Sequence, residues 1–192
     1  MHTEEWYVVL KDVIQALSWL AAAVGVWFGG WKAIRELSAA AKQRDDALAQ
    51  RRGEERWKRA ELARLLHKDA LASPLVQSAL VLLEWDGAEH EVRPGEKVRI
   101  DWSAMESAMR VTNMTFGNVE GYVRRSFDAL FDEFAGLEHG VLRGLLDFED
   151  VDYRWRHYAK EVAAHPPLRR FAEYYGLTHA LNFLRRFEQG VS

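Results

Sequence analysis

Polarity along the chain changes character twice. From Val13 to Trp31 the sequence reads VIQALSWLAAAVGVWFGGW, 19 residues without a charge and with only Gln15 and Ser18 as polar side chains. At a rise of about 1.5 Å per residue, a helix of that length spans roughly 28 Å, close to the ~30 Å hydrocarbon core of a bilayer. Aromatic residues sit on both flanks, Trp6 and Tyr7 before the run and Trp27 and Trp31 at its end. That is the placement of an interfacial belt. The run predicts a transmembrane helix over 13–31. A buried helix of a soluble bundle would rarely stay uncharged for five turns. A cleaved signal peptide wants a positive start, and this start carries Glu4 and Glu5, although Ala21–Ala23 resembles a cleavage site.

From residue 32 to 72 no proline appears, and Ala, Leu, Glu, Lys, Arg and Gln dominate. All are good helix formers. Ile34, Leu37, Ala41 and Leu48 recur at 3-4-7 spacing, but Arg44 interrupts the seam. The stretch 32–54 therefore reads as a solvated juxtamembrane helical stalk rather than a sustained coiled coil, with Gly53 as its expected break. A more apolar face begins with Leu62, Leu65 and Leu66, so 55–192 is the expected folded domain.

Within that domain the periodicity is helical. Ser73-Pro74 predicts a helix start, with Ser as cap and Pro at the first position. Residues 74–85 are apolar on most sides, as expected of a central helix. Short strands at 89–92 and 97–100 flank Arg93-Pro94-Gly95-Glu96, where Pro-Gly suits a type II turn. Asp101 is positioned to cap a helix from Trp102 to Val111. Val123, Phe127, Leu130, Phe134, Leu137 and Val141 are spaced 4-3-4-3-4, with Arg124, Arg125, Asp128, Asp132 and Glu133 assigned to the other face. Phe148, Val151, Trp155, Tyr158 and Val162 repeat the pattern up to Pro166-Pro167. Leu168, Phe171 and Tyr175 form a short helix closed by Gly176, and Thr178 is the expected cap of a last helix carrying Leu181, Leu184 and Phe187. The expected fold class is all-α: an N-terminal transmembrane helix and stalk, then a bundle of about six helices with one short β-hairpin near 89–100.

Charge adds an orientation. The net charge of −3 divides into −2 over residues 1–31, +4 over 32–72 and −5 over the remainder. Lys32, Arg35, Lys42, Arg44 and Arg51 follow the apolar run, whereas only Lys11 precedes it. The positive-inside rule then puts the N-terminus outside and the C-terminal domain in the cytoplasm. Lys32 and Arg35, next to the run, join Trp6, Tyr7, Trp27 and Trp31 as membrane-interface anchors. Each cation near an anionic leaflet is worth on the order of 1 kcal/mol. Nucleic acid is the competing partner for a basic stretch, because Arg51, Arg52, Arg56, Lys58 and Arg59 surround Trp57. Glu54 and Glu55 interrupt that cluster and the domain beyond is acidic, which disfavours it. Ala21, Gly25 and Gly29 recur every four residues and form a small-residue stripe on which two membrane helices could pack.

Candidate chemistry is sparse. The absence of cysteine removes disulfides, thiolate metal sites and a cysteine nucleophile. Asp147, Glu149, Asp150 and Asp152 could hold a hard cation, but they lack EF-hand spacing and read as acids at a helix N-terminus. His157, His165 and His179 include no pair four residues apart. Phosphate-loop, dinucleotide and Gly-x-Ser-x-Gly patterns do not occur. Glu84, Asp86 and Asp101 are carboxylates near the hairpin with no spacing that assigns them acid and base roles. No catalytic residue, cofactor or metal is implied.

The anchor 13–31, the stretch Trp57-Lys58-Arg59-Ala60-Glu61-Leu62-Ala63-Arg64 with Trp85-Asp86-Gly87, and the pairing of residues 127–130 with 144–150 give a layout that resembles a loosely related set of bacterial membrane proteins. These carry one N-terminal membrane helix, a charged linker and a small cytoplasmic helical domain of unknown function, and some accompany phage-defence or stress loci. The resemblance implies a single-pass protein of the bacterial inner membrane and no transferable catalytic residue. Expected partners are the lipid bilayer and a protein, either a separate one or a second copy. Alternatives are an oligomerising effector that perturbs the bilayer when triggered, and a small membrane-tethered hydrolase or ligand sensor with a site near the hairpin.

Overall fold

The computed structural model describes the backbone of residues 3–188 and the side chains of 15, 17–20, 24–32 and 34–188. Helix accounts for 79% of the chain and strand for 7%, so the protein is all-α with one small antiparallel sheet. It divides into two units, Met1–Glu55 and Arg56–Ser192. Helix α1 runs over Thr3–Ala72.

In the first unit the described residues of α1 are all exposed. The break expected at Gly53 is absent. A lone helical glycine costs about 1 kcal/mol relative to alanine, and strong helix formers on both sides outweigh that. Gln50 also donates to Glu54 across the glycine, at 3.1 Å.

The second unit holds the hydrophobic core. Its elements are the end of α1 from residue 56, α2 (Pro74–Glu84), β1 (Ala88–Arg93), β2 (Glu96–Ile100), α3 (Trp102–Ala108), α4 (Asn118–Leu142), α5 (Phe148–Ala164), α6 (Pro166–Tyr174) and α7 (Thr178–Glu188). α4 packs against α2, α3 and α7, and α5 packs against α7. The predicted face of α4 is buried at Val123, Phe127, Leu130, Phe134 and Leu137. Trp155 of α5 meets Phe134 edge-on at 5.7 Å between ring centroids, and Phe134 meets Phe183 of α7 at 5.1 Å.

Several local readings need correction. α1 does not pack through Leu62 and Leu65, which are exposed; Ala63 and Ala70 are buried and Leu66 packs beside them. Small residues let a helix approach its neighbours closely, so the buried face need not be the greasiest. Arg124 is buried rather than solvent-facing. Its guanidinium donates to the carbonyls of Ala108 and Arg110 and to the Tyr175 hydroxyl, and lies 4.2 Å from the Phe116 ring centroid and 4.8 Å from that of Phe171. Glu138, also buried on α4, receives two hydrogen bonds from Arg186 at 2.6 and 2.9 Å.

α3 stops at Ala108 instead of Val111 because the chain beyond it is gathered by Arg110. That side chain donates to the carbonyls of Ser107 and Asn113 and pairs with Glu120. Glu120 also accepts from Ser107 Oγ and from the backbone N–H of Gly117. These donors, Arg110 foremost, hold its carboxyl down at about 2. Ser73 stands at the N-cap of α2 but its hydroxyl makes no cap bond. Thr178 is the first residue of α7, and its hydroxyl donates to the Gly176 carbonyl rather than capping the helix. Asp101 does cap α3, accepting from Ala104 N–H at 2.8 Å.

The hairpin pairs Ala88 with Ile100, Glu89 with Arg99, His90 with Val98 and Glu91 with Lys97. Pro94 and Gly95 form its turn, and Gly95 has φ +80°, which a type II turn requires and a side chain would resist. The pairing shifts register between Glu91 and Arg93, just before the turn.

Candidate functional site

In the first unit the candidate site is the apolar run itself. Near the N-terminus α1 is long and apolar enough to cross a membrane, with a mean hydropathy of 1.2 over its most apolar window and none of that window buried. Ser18 donates its hydroxyl to the Gln15 carbonyl at 2.7 Å, so one of the two polar side chains is satisfied within the helix. Trp27 and Trp31 are exposed. The Arg35 guanidinium lies over the Trp31 ring at 4.7 Å, a cation–π contact at the basic end of the run. Lys32 sits 3.9 Å from Glu36. Gly25 and Gly29 open onto empty space, with nothing within 4 Å of where a Cβ would lie. The side chains of Trp6, Tyr7 and Ala21 fall outside the described residues.

In the second unit the acidic and histidine groups separate. Asp147 precedes α5 and accepts from Arg59 at 3.1 Å, while Glu149 and Asp150 occupy the first turn. Asp152 pairs with Arg156. Among the described residues, no group of three or more His, Asp or Glu is placed to hold a metal ion. His157 lies 3.8 Å from Glu84, and His165 Nδ1 is 2.7 Å from the Glu161 carbonyl. His179 stacks edge-on with His139. Asp86 accepts from Trp102 N–H and Asp101 from Ala104 N–H, so both carboxylates are engaged by the first turn of α3, while Glu84 lies 3.8 Å from His157.

A groove of about 520 Å³ lies between α2 and the hairpin, where one sequence alternative expects a site, but its lining includes none of Glu84, Asp86 and Asp101 and is made of residues the sequence reading did not single out for a site. One wall is residues 89–94; the other is Pro74, Gln77, Ser78 and Val81, with Tyr122 of α4 also lining it. Ser78 and Tyr122 share a hydrogen bond of 2.5 Å. His90 is only 5% exposed, and its buried Nε2 has no partner. Burial pushes its pKa below the ordinary histidine value, so the imidazole is neutral near pH 7. The available signal was the alternation of His90 and Val92 with Glu89, Glu91 and Arg93, which puts the histidine on the inward face of a strand.

Comparison with protein-family models, curated proteins and solved structures finds no match.

Proposed function

We propose that this protein is a single-pass, membrane-anchored helical interaction module. In this reading α1 crosses the inner membrane through 13–31 with the N-terminus outside. The Arg56–Ser192 unit then works in the cytoplasm, binding a protein partner or a second copy. The carrying observation is the uncharged run, whose described apolar side chains are all exposed. Water is a poor solvent for such a surface, and the run matches a bilayer in length. The cations that follow it and the Trp31–Arg35 contact favour the cytoplasmic orientation.

The test uses the full chain in its own membranes. It should resist an alkaline carbonate wash, leave the membrane with detergent, and give a discrete adduct on chemical cross-linking of the washed membranes. Release by the wash would end the membrane reading. A firm anchor with no adduct would end the interaction reading.

A second reading, an oligomerising effector that perturbs the bilayer, is favoured by the open space at Gly25 and Gly29, where a second helix backbone could approach. Dye entry into expressing cells, abolished by Gly29→Leu, distinguishes it from the first.

A further inference from the structure

We infer that the groove between β1 and α2 is a strand-addition site for an extended peptide segment of a partner protein, one that alternates basic with apolar residues. The inference rests on reading the second unit as an interaction module and names the occupant of its groove.

Three observations carry it. Consecutive residues 89–94 all line the groove. Successive side chains of a strand point to opposite faces, so a cleft touching every residue runs along the strand's edge rather than over one face. The opposite wall, Pro74, Gln77, Ser78 and Val81, is one face of α2 at i, i+3, i+4 and i+7. An edge facing a helix across an open groove is the arrangement that admits one added strand.

That edge is unsatisfied. The sheet has two strands, so β1 pairs only with β2. Among the described residues, no hydrogen bond from any other element reaches the backbone of residues 88–93. A row of unpaired N–H and C=O groups is a template for another extended chain.

The side chains then specify that chain. Glu89 and Glu91 are exposed on the outward face and already stand opposite Arg99 and Lys97 of β2. A strand added on the other side places its own outward residues beside the same carboxylates, and opposite charge is favoured there. Inward positions meet the His90 register, where Nε2 lacks a partner, and the exposed apolar side chain of Val81. A second copy offering its own β1 would set Glu89 and Glu91 against identical carboxylates, and one offering its own β2 would bring Lys97 and Arg99, which already stand opposite Glu91 and Glu89 of their own hairpin; a separate segment brings cations that are not so engaged.

The test pans a phage library of random dodecapeptides against the full chain held in detergent. The expected consensus alternates Lys or Arg with Val, Ile or Thr. A synthetic peptide of that consensus should lose at least about tenfold in affinity when alternate backbone nitrogens are methylated, since each blocked N–H removes a ladder bond. Val81→Arg and Glu89→Gln alter exposed positions without setting like charges across the hairpin, and should leave the melting curve unchanged while weakening the same peptide. Selected peptides indifferent to methylation and to both variants would overturn the groove and leave the interaction module standing. Selection of no peptide, with membrane cross-linking still giving its adduct, would also overturn the groove alone; loss of both would overturn the module. Lys97-Val98-Arg99-Ile100 of this chain fits the same consensus, so the membrane adduct separates the sources: an adduct between two copies that is lost in Glu89→Gln would assign the groove to a second copy and overturn the separate partner.

Discussion

Trp27 and Trp155 are the same residue in opposite circumstances. Trp27 is 76% exposed in a unit whose described residues are all exposed, while Trp155 is 1% exposed at the centre of the other unit's core. Around Trp155 the sequence alternates apolar with charged residues, so one face turns inward and the other meets water. Around Trp27 there is no charge to mark a wet face. On the proposed reading, a chain that sorts its side chains in one region and leaves them unsorted in another is written for two solvents. The first solvent is water with a core; the second, in our reading, is lipid.

The comparison breaks first at Trp155. Replacing it with alanine removes the contacts to Phe134 and His67 and should cost about 3–5 kcal/mol. Thermal melts in detergent would register this, while carbonate-resistant membrane association should persist. Leu20→Lys should do the converse: a lysine near the middle of a membrane helix costs about 2.5–3.5 kcal/mol. Fractionation should then find the protein in the wash, with the melt unaltered. If either variant moves both readouts, the two regions are not energetically separate.

Acid offers a smaller, graded test confined to the second unit. Burial depresses the pKa of His67 and His90, with Arg154 adding to the effect at His67. Both hold a proton less readily in the fold than in the unfolded chain, which takes up protons below about pH 6.5. Their contribution is therefore fully present above that value and declines as pH falls through the depressed folded values. The melting temperature should drop on acidification from pH 7.5, and less steeply in His67→Phe, which keeps a ring against Trp155. The smallest effect belongs to Gly29→Leu, which should leave anchoring and melt untouched and reduce only helix–helix cross-linking within the membrane.

What the sequence made legible follows from the range of the forces involved. The α4 and α5 registers, the hairpin turn at Pro94-Gly95 and the Asp101 cap are local, set by period, φ and a donor three residues away. Arg124 and Glu138 were misplaced or missed because their burial depends on Tyr175 and Arg186, 51 and 48 residues further on. The lining of the groove near the hairpin is hidden for the same reason: Ser78 and Tyr122, which meet there, are 44 residues apart. The apolar run needed no partner to be recognised, because its signal is an unbroken composition.

Arg124 fastens the end of α3 and the end of α6 to α4 with one flat cation. Its charge is sandwiched between rings and spent on carbonyl oxygens, beyond the reach of dissolved counterions. Concentrated salt should loosen exposed pairs such as Arg156–Asp152 and leave this joint tight. Lysine would keep the charge and lose the joint, because a rounded ammonium neither lies flat against Phe116 nor bridges three acceptors in a plane. At this position geometry, rather than electrostatic sign, is the property that inheritance would have to preserve.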